Sequence, residues 1–384
     1  MVIHSVVKKI YVLVFIMILV ACKSDKKEAN SKPITINQHV EFSKGFSIEK
    51  LASDITIIKI TSPWPNSESD FTYALVPKER SIDFNADGFD AVIQVPIEQL
   101  VVTSTTHIPA LEALGVENTL VGFPDTKYIS SEKIRKRIDS GFIKELGNNQ
   151  SINTEMLIEL NPELVVGFGI NNENSTYETI QRANIPVVYN GDWTEETPLG
   201  KAEWIKFFAP FFRKEFLADS IFKAIKTSYE QTKNIAKTAS KIPKVISGAM
   251  YKDVWYLPGG KSWAAQFLAD ANADYLWKNT TETGSLSLSW ESVLETAQHA
   301  DFWIGPAQFG SYENMKESSK HYTQYDAYQN KQIFTFANTK GQTGGVLYYE
   351  LAPQRPDLVL KDLIYILHPE LQVEHQPVFF KPLD

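Results

Sequence analysis

The residues of this chain that could do chemistry stand mostly at the wrong spacings to do it. Gly259-Gly260-Lys261-Ser262 ends like a phosphate-cradling loop, but that loop needs a first glycine at 255, where the chain has Trp255. No G-x-S-x-G occurs and the only cysteine is Cys22, so neither a serine nor a cysteine nucleophile is signalled. One cysteine also excludes a disulfide framework and any Cys-rich zinc or iron–sulfur site. The seven histidines (4, 39, 107, 299, 321, 368, 375) show no H-E-x-x-H spacing. Asp83, Asn85, Asp87 and Gly88 fit the first half of a calcium loop, yet Gln94 holds the place of its bidentate Glu. An Asx-rich turn with Gly is the commoner explanation. What remains is aromatic: 8 Trp, 16 Tyr and 22 Phe supply flat faces for a large ligand, although most must be core.

The whole-chain numbers narrow the class. At 43% hydrophobic and 22% charged, 384 residues make a folded protein with room for more than one core. The formal charge of −8 leaves no basic excess for phosphates, so nucleic-acid binding is not expected. Lys8 and Lys9 precede a 12-residue apolar run, Ile10 to Ala21. Spanning a bilayer takes about 20 residues, so residues 1–21 read as a secretory signal. The run ends Leu19-Val20-Ala21-Cys22, similar to a bacterial lipobox, and Cys22 is the expected site of lipidation. Acyl chains there would hold the protein to a membrane at about 0.8 kcal/mol per buried methylene. Residues 22–33 carry no apolar side chain larger than alanine up to Lys32 and read as a tether.

Residues 34–95 show short β-like runs broken by PWPNSESD and NADG, a small antiparallel element. From 96 to 198 strands alternate with helices: strand 100–104, helix from Thr106 with Pro109 in its first turn, strand 119–123, helix 131–139, helix 154–160, strand 163–168, helix 175–183, strand 185–189. Residues 199–240 are mostly helix-favouring, and one helix, kinked at Pro210, could run about 60 Å. The alternation resumes over 241–384, with helices at 262–271, 289–298 and 355–367. The fold expected is therefore α/β: two Rossmann-like lobes joined by one long helix, behind a small β-rich extension. An echo relates the lobes. Asn153, Glu155 and Glu159 before ELVVG parallel Ser289, Glu291 and Glu295 before DFWIG.

LVVTSTTHIPALEALGVENTLVGF, NTEMLIELNPELVVGFG and LSWESVLETAQHADFWIG, spaced by the linking segment, resemble the class III substrate-binding proteins of ABC importers. The likeness runs over about 96–368, and the ending RPDLVLKDLIYILHPEL is similar to the iron-complex branch. It implies a protein that makes and breaks no bond and needs no cofactor. Such a protein carries an iron–siderophore, haem or cobalamin to an ABC permease dimer with its ATPase, as a lipid-anchored monomer on the periplasmic side of a bacterial envelope. Zinc and manganese relatives need several His ligands, and the lobe loops here offer mainly His107, so no metal-ion site is expected.

The ligand is expected in the interlobe cleft, among loops at the carboxyl ends of the strands. On those grounds His107, Trp193, Tyr251, Trp255, Trp263 and Arg355 are the ligand-binding candidates: rings to stack on a flat ligand, Arg for an anionic one. Each has a plainer alternative, core packing for a Trp, a capping neighbour for His107, an Asp357 pair for Arg355. The likeness further implies that Glu155 and Glu291, one per lobe, dock on Arg pockets of the permease. A Glu in a first helical turn also stabilises the helix by about 0.3–1 kcal/mol, and the two roles are compatible.

Overall fold

Strand and helix signals resolve into two parallel sheets with a third, mostly antiparallel one ahead of them. The computed structural model describes residues 36–384 apart from 52–53, 62, 150 and 172–173. Cys22, the apolar run before it and the tether lie outside the described residues. In the first lobe the strands run Val187–Tyr189, Leu164–Gly167, Leu100–Val102, Leu120–Phe123, Lys144–Glu145, all parallel. The three at the Val187 side are buried along their whole length, as strands covered on both faces must be. In the second lobe the order is Asp274–Tyr275, Lys244–Ser247, Phe302–Ile304, Ile333–Thr335, with Lys381–Pro382 antiparallel at the edge.

Helix starts follow the capping residues. Ser131, Asn153, Asn174, Ser262 and Ser289 each accept a bond from the backbone N–H three residues on, satisfying a donor the helix itself leaves orphaned. The linking segment departs from the expected single helix. It breaks into short turns over Pro198–Phe212, then a helix Glu215–Ala236 of 22 residues, about 33 Å long. Two causes are local: Pro210 lacks an N–H, and Arg213 takes a left-handed conformation (φ 56°). Trp204, Phe207, Phe208 and Phe211, too apolar for a spanning rod, are buried in the first lobe's core.

Beyond a small cluster of its own around Ile55, Ala74 and Val76, the extension shares its core with the first lobe. Phe46, Ile48, Ile58, Tyr73 and Ile93 pack in one cluster with Leu100, Val102 and the aromatic linking turns. Its first four strands form an antiparallel meander, while Ala91–Val95 pairs parallel to Phe71–Pro77. Two buried carboxylates fasten it. Glu203 accepts from the N–H groups of Glu41, Phe42 and Ser43 (2.9, 2.6 and 2.9 Å) and from Lys206 Nζ (2.9 Å). Glu195 accepts from the N–H groups of Lys44 and Gly45, from Ser43 Oγ and from Trp204 Nε1. The C-terminal tail is held likewise: fully buried Asp362 accepts from the N–H groups of Val378, Phe379 and Phe380.

Two sheets went unread in the sequence, a short antiparallel pair of Gly147–Asn148 with Ser151–Ile152 and a three-stranded one. Ala249–Tyr251, Val254–Pro258 and Ser285–Ser289 pair antiparallel in the second lobe. The alternation of V-W-Y-L-P was its signal, with Trp255 and Leu257 inward and Val254 and Tyr256 outward.

Candidate functional site

Strand order places the site. In each lobe it reverses beside the first strand: Leu100–Val102 lies between Leu120–Phe123 and Leu164–Gly167, and Lys244–Ser247 between Asp274–Tyr275 and Phe302–Ile304. Loops leaving a sheet at such a point diverge and open a crevice beyond the strands' carboxyl ends. A cavity of about 510 Å³ occurs there between the lobes. The first lobe supplies the hydroxyls of Thr103, Ser104 and Thr105, the ring of Phe168, and the loop from Phe123 to Tyr128; the second supplies Gln308, Lys340, Val346 and Tyr349. Tyr128 is 55% exposed and Tyr349 48%, so both lobes offer a half-bare ring. Thr103 Oγ1 accepts from the Phe168 N–H (3.2 Å), holding that loop, and Tyr349 OH accepts from Gln308 Nε2 (2.7 Å). Asp125 pairs with Lys127 at 3.3 Å, whereas Lys340 is exposed and forms no ion pair with a described residue.

On one side of this cavity the lobes touch directly, beside a groove of about 700 Å³. Glu350 of the second lobe, 3% exposed, accepts from the N–H groups of Ser130 (2.5 Å) and Ser131 (3.0 Å) in the first. Ser130 Oγ donates to the Gly345 carbonyl at 3.0 Å, and Thr343 Oγ1 to that of Lys127 at 2.7 Å. A Cβ on Gly345 would stand 2.1 Å from the Tyr128 carbonyl oxygen, so only glycine permits the approach. Burial pushes the Glu350 carboxyl up to about 7; the Ser130 and Ser131 N–H groups pull against it, and the Glu112 charge adds to it.

With this geometry in view, the relationship to other proteins can be stated. The periplasmic binding protein family model matches residues 100–339, more than half of the chain. The chain belongs to that family. An uncharacterised lipoprotein of Methanocaldococcus jannaschii is 28% identical over 300 residues, 75% of this chain and 69% of its own. Among solved structures, a periplasmic haem-binding protein from Pseudomonas aeruginosa superposes with a TM-score of 0.56 at 15% identity, covering 75% of this chain and 98% of that one. A periplasmic vitamin B12-binding protein of Vibrio cholerae does so at 0.52 and 12%, covering 73% and 99%. At such identities the likeness is one of fold: the two-lobed class III binding protein. A protein of this family binds a solute and transforms none.

The expected ligand residues of this binding protein scatter. His107 is fully buried against Phe208 (ring centroids 5.4 Å), and burial lowers its pKa to about 4, so the ring is neutral packing under the cleft. Trp255 is likewise fully buried, stacked on Trp303 at 5.2 Å with its Nε1 donating to the Ser247 carbonyl. Both are corrected from ligand contact to core. Tyr251, 68% exposed at a hairpin end, lines no described cavity. Arg355 is spent on Asp357 through a two-pronged pair at 2.9 and 3.0 Å, which removes it as an anion receptor. Trp193 and Trp263 do share a cavity, but a different one, with Trp64 of the extension.

Glu155 and Glu291 are both exposed in first helical turns, and neither pairs with a described residue. Capping there falls to Asn153 Oδ1 (3.0 Å) and Ser289 Oγ (3.3 Å). In the calcium-like stretch Asn85 Oδ1 accepts from the Asp87 N–H at 3.0 Å, an Asx turn, and Gln94 lies in a strand facing outward. Sequence reasoning missed Tyr128 and Tyr349. The loop after Leu120–Phe123 also leaves a carboxyl edge, which was the available signal for Tyr128; Tyr349 sits on a short helix, Leu347–Leu351, that no pattern announced.

Proposed function

We propose that this binding protein is the substrate-binding component of an ABC importer, anchored to the envelope through a lipid on Cys22. It captures an iron–siderophore or related iron complex between its lobes and delivers it to the permease. The observation that carries the reading is the interlobe cavity itself: half-exposed rings of Tyr128 and Tyr349 from opposite lobes, a row of hydroxyls, and the uncommitted ammonium of Lys340. Rings stack on a planar or conjugated chelate and the ammonium offsets an anionic one, while a largely preformed cleft limits the ordering cost. Relatives named as lipoproteins support the anchor. Exposed Glu155 and Glu291, free of capping duty, support docking on the permease.

A corrinoid is the second reading. The amides and hydroxyls of Asn149, Gln308 and Thr103–Thr105 suit a large uncharged ligand as well. The absorption spectrum of the protein purified from its native host separates the two. Ferric catecholate, hydroxamate or haem bands are expected; corrin bands would replace the first reading with the second. A colourless protein that also takes up none of these on incubation would overturn both.

A further inference from the structure

A further interlobe cavity, about 580 Å³, is walled by three tryptophans from three parts of the chain: Trp64 of the extension, Trp193 of the first lobe and Trp263 of the second. Its extension wall lies outside the stretch that the family model matches, residues 100–339. Trp64 is immobilised, edge-on to Tyr189 at 5.5 Å and seated over Gly169, where a Cβ would come within 2.6 Å of the ring. Trp193 is the opposite case. It is 40% exposed and stacks on no described aromatic or cationic side chain, although it faces a concave surface. An unstacked indole beside a fixed one, at the mouth of a chamber of drug-like size, is a receptor for another ring.

The charges define that ring. Glu195 lines the chamber, but its carboxylate is saturated by Ser43, Lys44, Gly45 and Trp204 donors. The remaining charges, Lys44 and Glu196, face each other at 3.7 Å on the exposed rim. Behind Trp263 the buried Lys201 ammonium, 5.3 Å from the ring centroid, is held by the Asp192 and Trp193 carbonyls and offset by the Asp192 and Glu195 charges, so the lining offers no uncompensated charge to an ion. We propose that this tryptophan chamber is a second solute site, distinct from the Tyr128–Tyr349 cavity, which takes an uncharged planar aromatic molecule between Trp193 and the rings facing it. The proposal stands whether or not the first cavity carries an iron complex.

Lumichrome, an uncharged fused-ring heteroaromatic whose fluorescence is quenched on indole, is the probe. Titrating the full chain into lumichrome should give saturable, one-to-one quenching. Trp193→Ala should weaken binding about tenfold. Gly284→Phe should abolish it while leaving every tryptophan in place, because a Cβ at Gly284 meets nothing within 4 Å and the ring can fill the chamber. Tyr128→Ala, in the other cavity, should leave lumichrome binding unchanged. Absence of saturable quenching by the wild-type chain overturns the proposal. So does retention of full affinity in Gly284→Phe, or a loss confined to Tyr128→Ala.

Discussion

Trp255 and Trp193 entered as equal candidates, and their surroundings separate them. Trp255 sits on the inward face of an alternating strand, sealed by Trp303, Tyr322 and Tyr325, and its indole N–H is satisfied within the core. Trp255→Ala should therefore cost about 3–5 kcal/mol of folding stability, read as a drop in the denaturant midpoint with an unchanged slope. A midpoint within experimental error of wild type would mean the ring is not core. Residue type alone could not make this distinction, because an indole serves a core and a ligand equally well. Two-residue alternation over Val254–Pro258 did carry the information. Arg355 is a different lesson: its Asp357 partner stands two positions on, and the pairing was legible as the plainer alternative.

At the scale of elements, capped helices were legible to within a residue or two, since a Ser or Asn ahead of an apolar stripe is a local signal. The linking segment was not, because its break depends on burying four aromatic rings in a core assembled from distant strands. Equally invisible was the contact of the 340–346 loop with Tyr128–Ser131, a backbone-to-backbone approach that glycine permits but does not announce. Glu350 makes that contact testable. Its carboxyl is raised in the folded protein to about 7 by burial, above its ordinary value of 4.5, so between those values the folded state holds a proton the unfolded chain has lost. The associated stability is fully present below about pH 4.5 and is lost as pH rises through about 7. Lys133, Lys136, Lys340, Glu112 and Glu132 face the same groove, and the Glu112 charge acts on Glu350 directly, so Glu112→Gln is the control that separates the two carboxyls. Glu350→Gln should lose less melting temperature than wild type between pH 5 and pH 8. Parallel melting curves across that range would show that Glu350 is ionised throughout.

For the whole molecule, the α/β alternation and the echo between 153–168 and 289–305 made both lobes legible, and the matching strand reversals follow from that shared topology. The distribution of aromatics across two cavities was not legible, because it depends on how the lobes and the extension face one another. The proposed docking of Glu155 and Glu291 on the permease is tested at this scale. Gln at both should leave ligand affinity and stability nearly intact and collapse uptake, since truncating one partner of a charge-assisted pair costs about 2–5 kcal/mol. Normal uptake with a small fall in melting temperature would reduce both to helix electrostatics. The central claim, that the Tyr128–Tyr349 cavity holds the transported solute, is tested most directly by titrating the purified protein with a ferric catecholate, a ferric hydroxamate, haem and cobalamin, beside a Tyr128→Ala/Tyr349→Ala double variant. One of these ligands should bind at micromolar concentration or tighter, and the folded double variant should bind it at least about tenfold more weakly. Unchanged affinity in that variant, or no binding of any of them by the wild-type protein, would contradict it.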